Sequence, residues 1–462
     1  MPVVQSWVMR LRLKLKATGH NLLTAFDPQG EIEGLIHKNE PAMQLFRPRL
    51  YTLSLALLLT ACASPSGPGG SLFSRDAQGV SGERLGRIAS VVRAEVDKGT
   101  FPGAVTLVAR NGQIVHFEAH GYLDAARTKP MTKDAIFRLA SMTKPLVSVA
   151  TMMLVEQGAL KINDPISTWL PELKDMKVET AAGDVAPTRP VTVQDLLRHT
   201  AGMVYGGSTR SPRIKKMYEE LNIEALEKDI TTGDMLKNLA TIPLAHQPGT
   251  FFEYSISVDV LGLLLERATK KSLDVLLREM LTEPLGMKET LWWVGADKRA
   301  RLAETLDSDA QKAVMLKSYR QYDDPAVRTY LKGGAGMVGT TEDYFRFLQM
   351  VANGGEYAGR RYLSRKTVEF MLSDHTPGMG GTTFASTGPG YGFGLGFAVR
   401  AQDGFSWTAG SKGDAMWAGA WGTSFWIDPK EKLVGILMAQ SPSNRVQTRM
   451  LFKNVVYAAV VE

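Results

Sequence analysis

The sequence predicts an α+β fold: one antiparallel sheet flanked by helices and assembled from both ends of the chain, with a mostly helical subdomain inserted between them. Three observations lead there. Short strand-like apolar segments occur near 104–120 and again near 423–440, helical periodicity precedes the first pair and follows the second, and the stretch between them is mostly helical.

The elements follow in order. Leu85, Ile88, Val91, Val92 and Val96 recur at helical spacing, and "KGTFPG" ends the pattern. "AVTLVAR", Asn111-Gly112 and "QIVHFEAHG" read as two strands joined by a tight hairpin, because Asn-Gly tolerates the positive φ angles such a turn requires. The helical middle is broken by proline and glycine at 165–190, 202–212 and 243–250. Within it Thr192 and Asp195 form a capping box opening "LLRHTAG", which puts His199 near a helix end. "YGFGLGF" lacks the strand-loop-helix setting of a nucleotide loop and reads as a turn entering a strand. "GTSFWIDP" and "KLVGILMAQ" supply a second strand pair, and residues 444–461 return to helical spacing.

Charge excludes one class of function. The chain of 462 residues is 44% hydrophobic and carries a formal +7, of which residues 1–61 contribute seven basic against four acidic groups. What remains is too weak and dispersed for nucleic acid. The single cysteine, Cys62, permits neither an intrachain disulfide nor a cysteine metal cluster. Arg47 and Arg49 precede "LYTLSLALLLTA", a run too short to span a bilayer but matching the apolar region of a signal peptide. Its end, "LTAC", resembles the lipobox of bacterial lipoproteins, which implies lipidation at Cys62, a membrane anchor and an envelope location; without processing, the cytoplasm is expected. Met43 is the expected start of translation. The division that follows is 1–62 as upstream extension and signal segment, 63–80 as linker, and 81–462 as one domain. In that domain 81–145 and 330–462 form the α/β part and 146–329 the helical part.

Ser141 is the only serine followed three residues later by lysine, Lys144, and positions i and i+3 share a helix face. A serine hydroxyl becomes a useful nucleophile when a positioned base removes its proton, and a desolvated lysine can be that base. At a helix start, the Ser141 N–H also points outward toward a developing oxyanion. "FRLASMTKPLVSVATMMLVEQGALKINDPI", "VTVQDLLRHTAG", "PGTFFEYSISVDVLGLLLE", "GGAGMVGTTEDYFRFLQMV" and "YGFGLGF" occur in that order. Together they resemble the serine β-lactamase and penicillin-binding superfamily over roughly residues 80–460, and most closely its class C-like branch of family VIII carboxylesterases.

That resemblance implies a β-lactamase-like serine hydrolase fold with the active site between the two subdomains. It implies Ser141, Lys144 and Tyr254 (of "YSI") as catalytic residues, with Tyr254 a phenolate-like base and proton shuttle whose pKa Lys144 lowers. The N–H groups of Ser141 and Ala420 would form the oxyanion hole. Ile256 stands where β-lactamases carry asparagine, and no KTG occurs; Trp417-Ala418-Gly419 takes the W-x-G form instead. Trp417, Gly419, Tyr205 and Asp259 are the expected substrate contacts. The implied substrates are short-chain esters with weak cephalosporin hydrolysis; a class C-like β-lactamase or D-alanyl-D-alanine carboxypeptidase, or a penicillin-binding envelope protein without turnover, are the alternatives. A Ser-His-Asp hydrolase is disfavoured because GxSxG is absent, which leaves His199 structural. His116, Glu118 and His120 share one strand face, but without HExxH or further ligands no metal and no organic cofactor is expected.

Overall fold

The computed structural model describes residues 78–226, 228–318 and 330–462. Cys62, the signal segment and nearly all of the linker lie outside the described residues. Helix α1, Gly82–Asp97, is capped by the Ser81 side chain accepting from the Arg84 N–H and buries Leu85, Ile88, Val92 and Val96. Strands β1 (Gly103–Arg110) and β2 (Gln113–Gly121) follow, and the hairpin between them has positive φ at both Asn111 (52°) and Gly112 (78°).

The C-terminal half supplies β3 (Tyr391–Phe393), β4 (Ala398–Arg400), β5 (Ala415–Ala418), β6 (Ser424–Asp428) and β7 (Leu433–Ala439). All seven strands join one sheet in the order β2-β1-β7-β6-β5-β4-β3, antiparallel throughout. The pairing of β1 with β7, Leu107 opposite Ile436, welds the two ends of the chain together. "YGFGLGF" therefore holds a strand of its own, β3, before the turn into β4.

The helical part contains α2 (Thr143–Glu156), α3 (Val193–Leu197), α4 (Pro212–Glu220), α5 (Thr232–Leu239) and α6 (Ser257–Thr269). The Thr192–Asp195 capping box is present at α3. Helix α2 is buried continuously from Thr143 to Leu154, so it is a core helix and not an amphipathic surface one. It packs against α6, while α7 (Thr341–Ala352) packs on β7, β1 and β6 and α8 (Arg445–Tyr457) packs on α1. The groove between sheet and helices begins where α2 begins.

Candidate active site

The segment that carries Ser141 is clamped from several directions. Phe137–Arg138 pairs with Val338–Gly339, and the Leu139 N–H donates to the Met337 carbonyl at 3.0 Å. The Tyr344 hydroxyl donates to the Met142 carbonyl at 2.9 Å, and Thr143 Oγ1 accepts from the Met337 N–H at 3.1 Å. Ala140, directly before the serine, is held at φ 44°, a left-handed conformation that costs a non-glycine residue roughly 1–3 kcal/mol and persists because its surroundings over-determine it. Ser141 sits in the 3-10 turn Ala140–Met142, which runs straight into α2.

Lys144 is fully buried. Its Nζ lies 3.4 Å from Ser141 Oγ, 3.1 Å from the Tyr205 hydroxyl and 2.7 Å from the Gly334 carbonyl oxygen. Burial brings the Lys144 pKa down to about 7, against the opposing charge of Asp259. About half of such an amine is free to accept a proton at neutrality, and Ser141 is one of the two hydroxyls within its reach, with Tyr205 the other. Asp259, on the first turn of α6, is itself buried and accepts from the Gly334 N–H at 3.1 Å, so Gly334 links carboxylate and amine through its two backbone groups. Asp259→Asn keeps that acceptor and removes the charge that favours the ammonium. It is expected to lower the Lys144 pKa further and move the acid limb of the pH–activity profile down by about half to one unit, read from kcat/KM between pH 5 and 9.

Tyr254 occupies a different state from the one the resemblance implied. Its hydroxyl is buried without a hydrogen bond of standard geometry, and burial raises its pKa above the ordinary phenol value, with Ser141 and Trp417 opposing that shift. Desolvation is the largest influence on the phenol, and the lysine is the group whose pKa falls. The Lys144 ammonium position lies 4.6 Å from the Tyr254 ring centroid, and His199 packs on that ring at 4.7 Å. His199 is buried with Nδ1 3.0 Å from Ser255 Oγ, and burial holds its pKa well below the ordinary imidazole value, so it backs the tyrosine as a neutral ring.

Ser141, Tyr205, Tyr254, Ile256, Asp259 and Ala420 all line one cavity of about 270 Å³. Trp417 and Gly419 are not among the residues that line it. Trp417 is buried, its ring 5.1 Å from Tyr254 and 5.2 Å from Phe393, so it supports the tyrosine from behind. Gly419 lets the chain after β5 press against the serine turn: a Cβ there would fall 2.3 Å from both the Leu139 carbonyl oxygen and Thr423 Oγ1. Gly419→Ala is therefore expected to destabilise the protein by about 1–3 kcal/mol and to displace Ala420, visible as a lower thermal midpoint together with reduced activity.

Two cavity residues of acidic or basic type escaped sequence reasoning. Glu224 accepts from the Gly206 N–H at 2.6 Å and has its pKa raised by burial, and the buried Lys332 donates to the Ser318 carbonyl at 3.2 Å. Neither stands in a local motif; only "GGAGM" beginning one residue after Lys332 gave a neighbouring signal.

The family model described as Beta-lactamase matches residues 88–459. The chain belongs to the Beta-lactamase family. Within it, this β-lactamase-family chain is 34% identical to Protein Rv1367c of Mycobacterium tuberculosis over 362 residues, 76% of this chain and 88% of that protein. It is 31% identical to Esterase EstB of Burkholderia gladioli over 374 residues, 77% of this chain and 89% of the other. Among solved structures, EstCE1, described as a hydrolase with promiscuous acyltransferase activity, superposes with a TM-score of 0.69 at 27% identity, covering 82% of this chain and 99% of its own.

Proposed function

We propose that the protein is a serine esterase that hydrolyses short-chain carboxylic esters through an acyl-enzyme on Ser141. The observation that carries this reading is the fully buried Lys144 amine, with a pKa of about 7, lying 3.4 Å from a serine hydroxyl on the wall of a cavity large enough for a small ester. The names of the relatives EstB and EstCE1 support the esterase class.

In this mechanism neutral Lys144 takes the Ser141 proton as Oγ attacks the ester carbonyl carbon. The N–H groups of Ser141 and Ala420 hold the resulting oxyanion. Collapse breaks the bond to the alkoxy group, which leaves with the Tyr254 phenol proton, and the Lys144 ammonium returns a proton to the tyrosine. Water then attacks the acyl-enzyme, giving up its proton to the same lysine; collapse breaks the acyl bond to Ser141 Oγ, which takes that proton back from the Lys144 ammonium as the acid departs. Tyr205, bonded to Lys144, and Asp259 orient the amine and set its charge. Ile256 in place of an amide, and the missing KTG lysine, remove two groups suited to a β-lactam and its carboxylate.

Turnover of p-nitrophenyl butyrate compared with that of a chromogenic cephalosporin tests the reading. Ester turnover well above cephalosporin turnover supports it, the reverse favours a β-lactamase, and stoichiometric acylation without release of product from either substrate favours a penicillin-binding protein. The same proposal puts the protein at the bacterial envelope through lipidated Cys62. Release of the Cys62→Ser variant from the membrane fraction supports that address, and equal retention of both forms contradicts it.

A further inference from the structure

We propose that His116, Glu118 and His120 on β2 form a second site, one that binds a divalent transition-metal cation of the zinc class. Alternate residues of a strand face one way, and β1 sets Thr106 directly opposite Glu118 on the same face. One donor atom from each of the three side chains lies within 4.8 Å of the others. His116 Nδ1 is 3.6 Å from Glu118 Oε1, and His120 Nε2 is 3.9 Å from Glu118 Oε2. Ligands bonded to one tetrahedral zinc at about 2.0–2.2 Å stand roughly 3.3–3.6 Å apart, so small side-chain rotations bring these atoms onto a common ion.

The surroundings suit a ligand set. Both imidazoles are buried, at 2% and 3% exposure, whereas the Glu118 side chain is 36% exposed and opens the site to solvent for entry and for a water in the fourth position. The Thr106 hydroxyl lies 2.7 Å from His116 Nε2 and 3.3 Å from His120 Nε2, so a bound cation would take the His120 lone pair in place of that hydroxyl. With His116 Nε2 donating its proton to Thr106, the His116 Nδ1 lone pair faces a carboxylate oxygen, an arrangement that a cation between them turns from repulsion into attraction. Arg93 of α1 is the nearby charge that resists a bound cation. Two nitrogen donors and one carboxylate select zinc, cobalt or nickel over calcium or magnesium. Strand β2 is the edge strand, with β1, β7 and β6 between it and β5, so the site is separate from the Ser141 cavity.

Titration of the metal-free full-length protein with Zn²⁺, followed by calorimetry and repeated with Co²⁺ as an absorbing surrogate, tests the proposal. One equivalent per chain is expected, weakened at least about tenfold in Glu118→Gln, weakened about 10–100-fold in Thr106→Val, and unchanged in Ser141→Ala. Glu118 is partly exposed, so its substitution preserves the fold even if replacement of a buried histidine does not. Absence of saturable binding overturns the proposal, and so does binding that Glu118→Gln leaves intact, because an ion held elsewhere in the chain would give that result.

Discussion

Ser141→Ala lowers kcat/KM for p-nitrophenyl butyrate by about 10⁴-fold or more, since what remains without a nucleophile is binding and oxyanion stabilisation alone. The thermal midpoint shifts by no more than about 3 °C, because the hydroxyl's contacts, 3.4 Å to Lys144 and one to Tyr254, are weak ones. Loss of activity with an intact melt separates a chemical role from a structural one. Activity within tenfold of the parent would remove Ser141 from the chemistry.

The second large effect concerns the base. Lys144→Ala is expected to cost about 10²–10⁴-fold in kcat, the range typical of a positioned proton acceptor. The pH profile of the parent carries the same information. The neutral amine is the active form, and a pKa of about 7 means it is protonated below that value. Activity therefore falls about tenfold per unit of pH below 7 and levels off above it. A tyrosinate base would behave otherwise: with the Tyr254 pKa raised by burial, activity would keep climbing through pH 9 and beyond. Tyr254→Phe is expected to lower kcat about 10²–10³-fold and to leave the acid limb where it was, because the phenol relays a proton without setting that limb.

Much of the fold was legible because its signals are local. The hairpin needed only Asn111-Gly112 between two strand-like runs, α1 only its apolar spacing, and the Ser141–Lys144 pairing only the geometry of one helical turn. The assignment of both chain ends to one sheet followed from where strand-like runs occur. The protonation order of Lys144 and Tyr254 was not legible, since it depends on burial created by residues near 199–205, 332–337 and 417, distant in sequence from both. The packing of Trp417 was not legible for a related reason: a tryptophan-rich strand does not announce which of its faces meets the cleft, and here Tyr254 and Phe393 cover it. Glu224 and Lys332 reach the cavity from loops whose course no periodicity encodes. At His116, Glu118 and His120 the strand period gave the shared face, but the convergence of the donor atoms depends on side-chain torsions and on Thr106 across the strand pair.

The most direct measurement is covalent trapping with a fluorophosphonate followed by peptide mass analysis. A single adduct on Ser141, forming faster as pH rises through about 7 and absent from Ser141→Ala, is the predicted result. An adduct on another residue, or labelling that persists in Ser141→Ala, would contradict it.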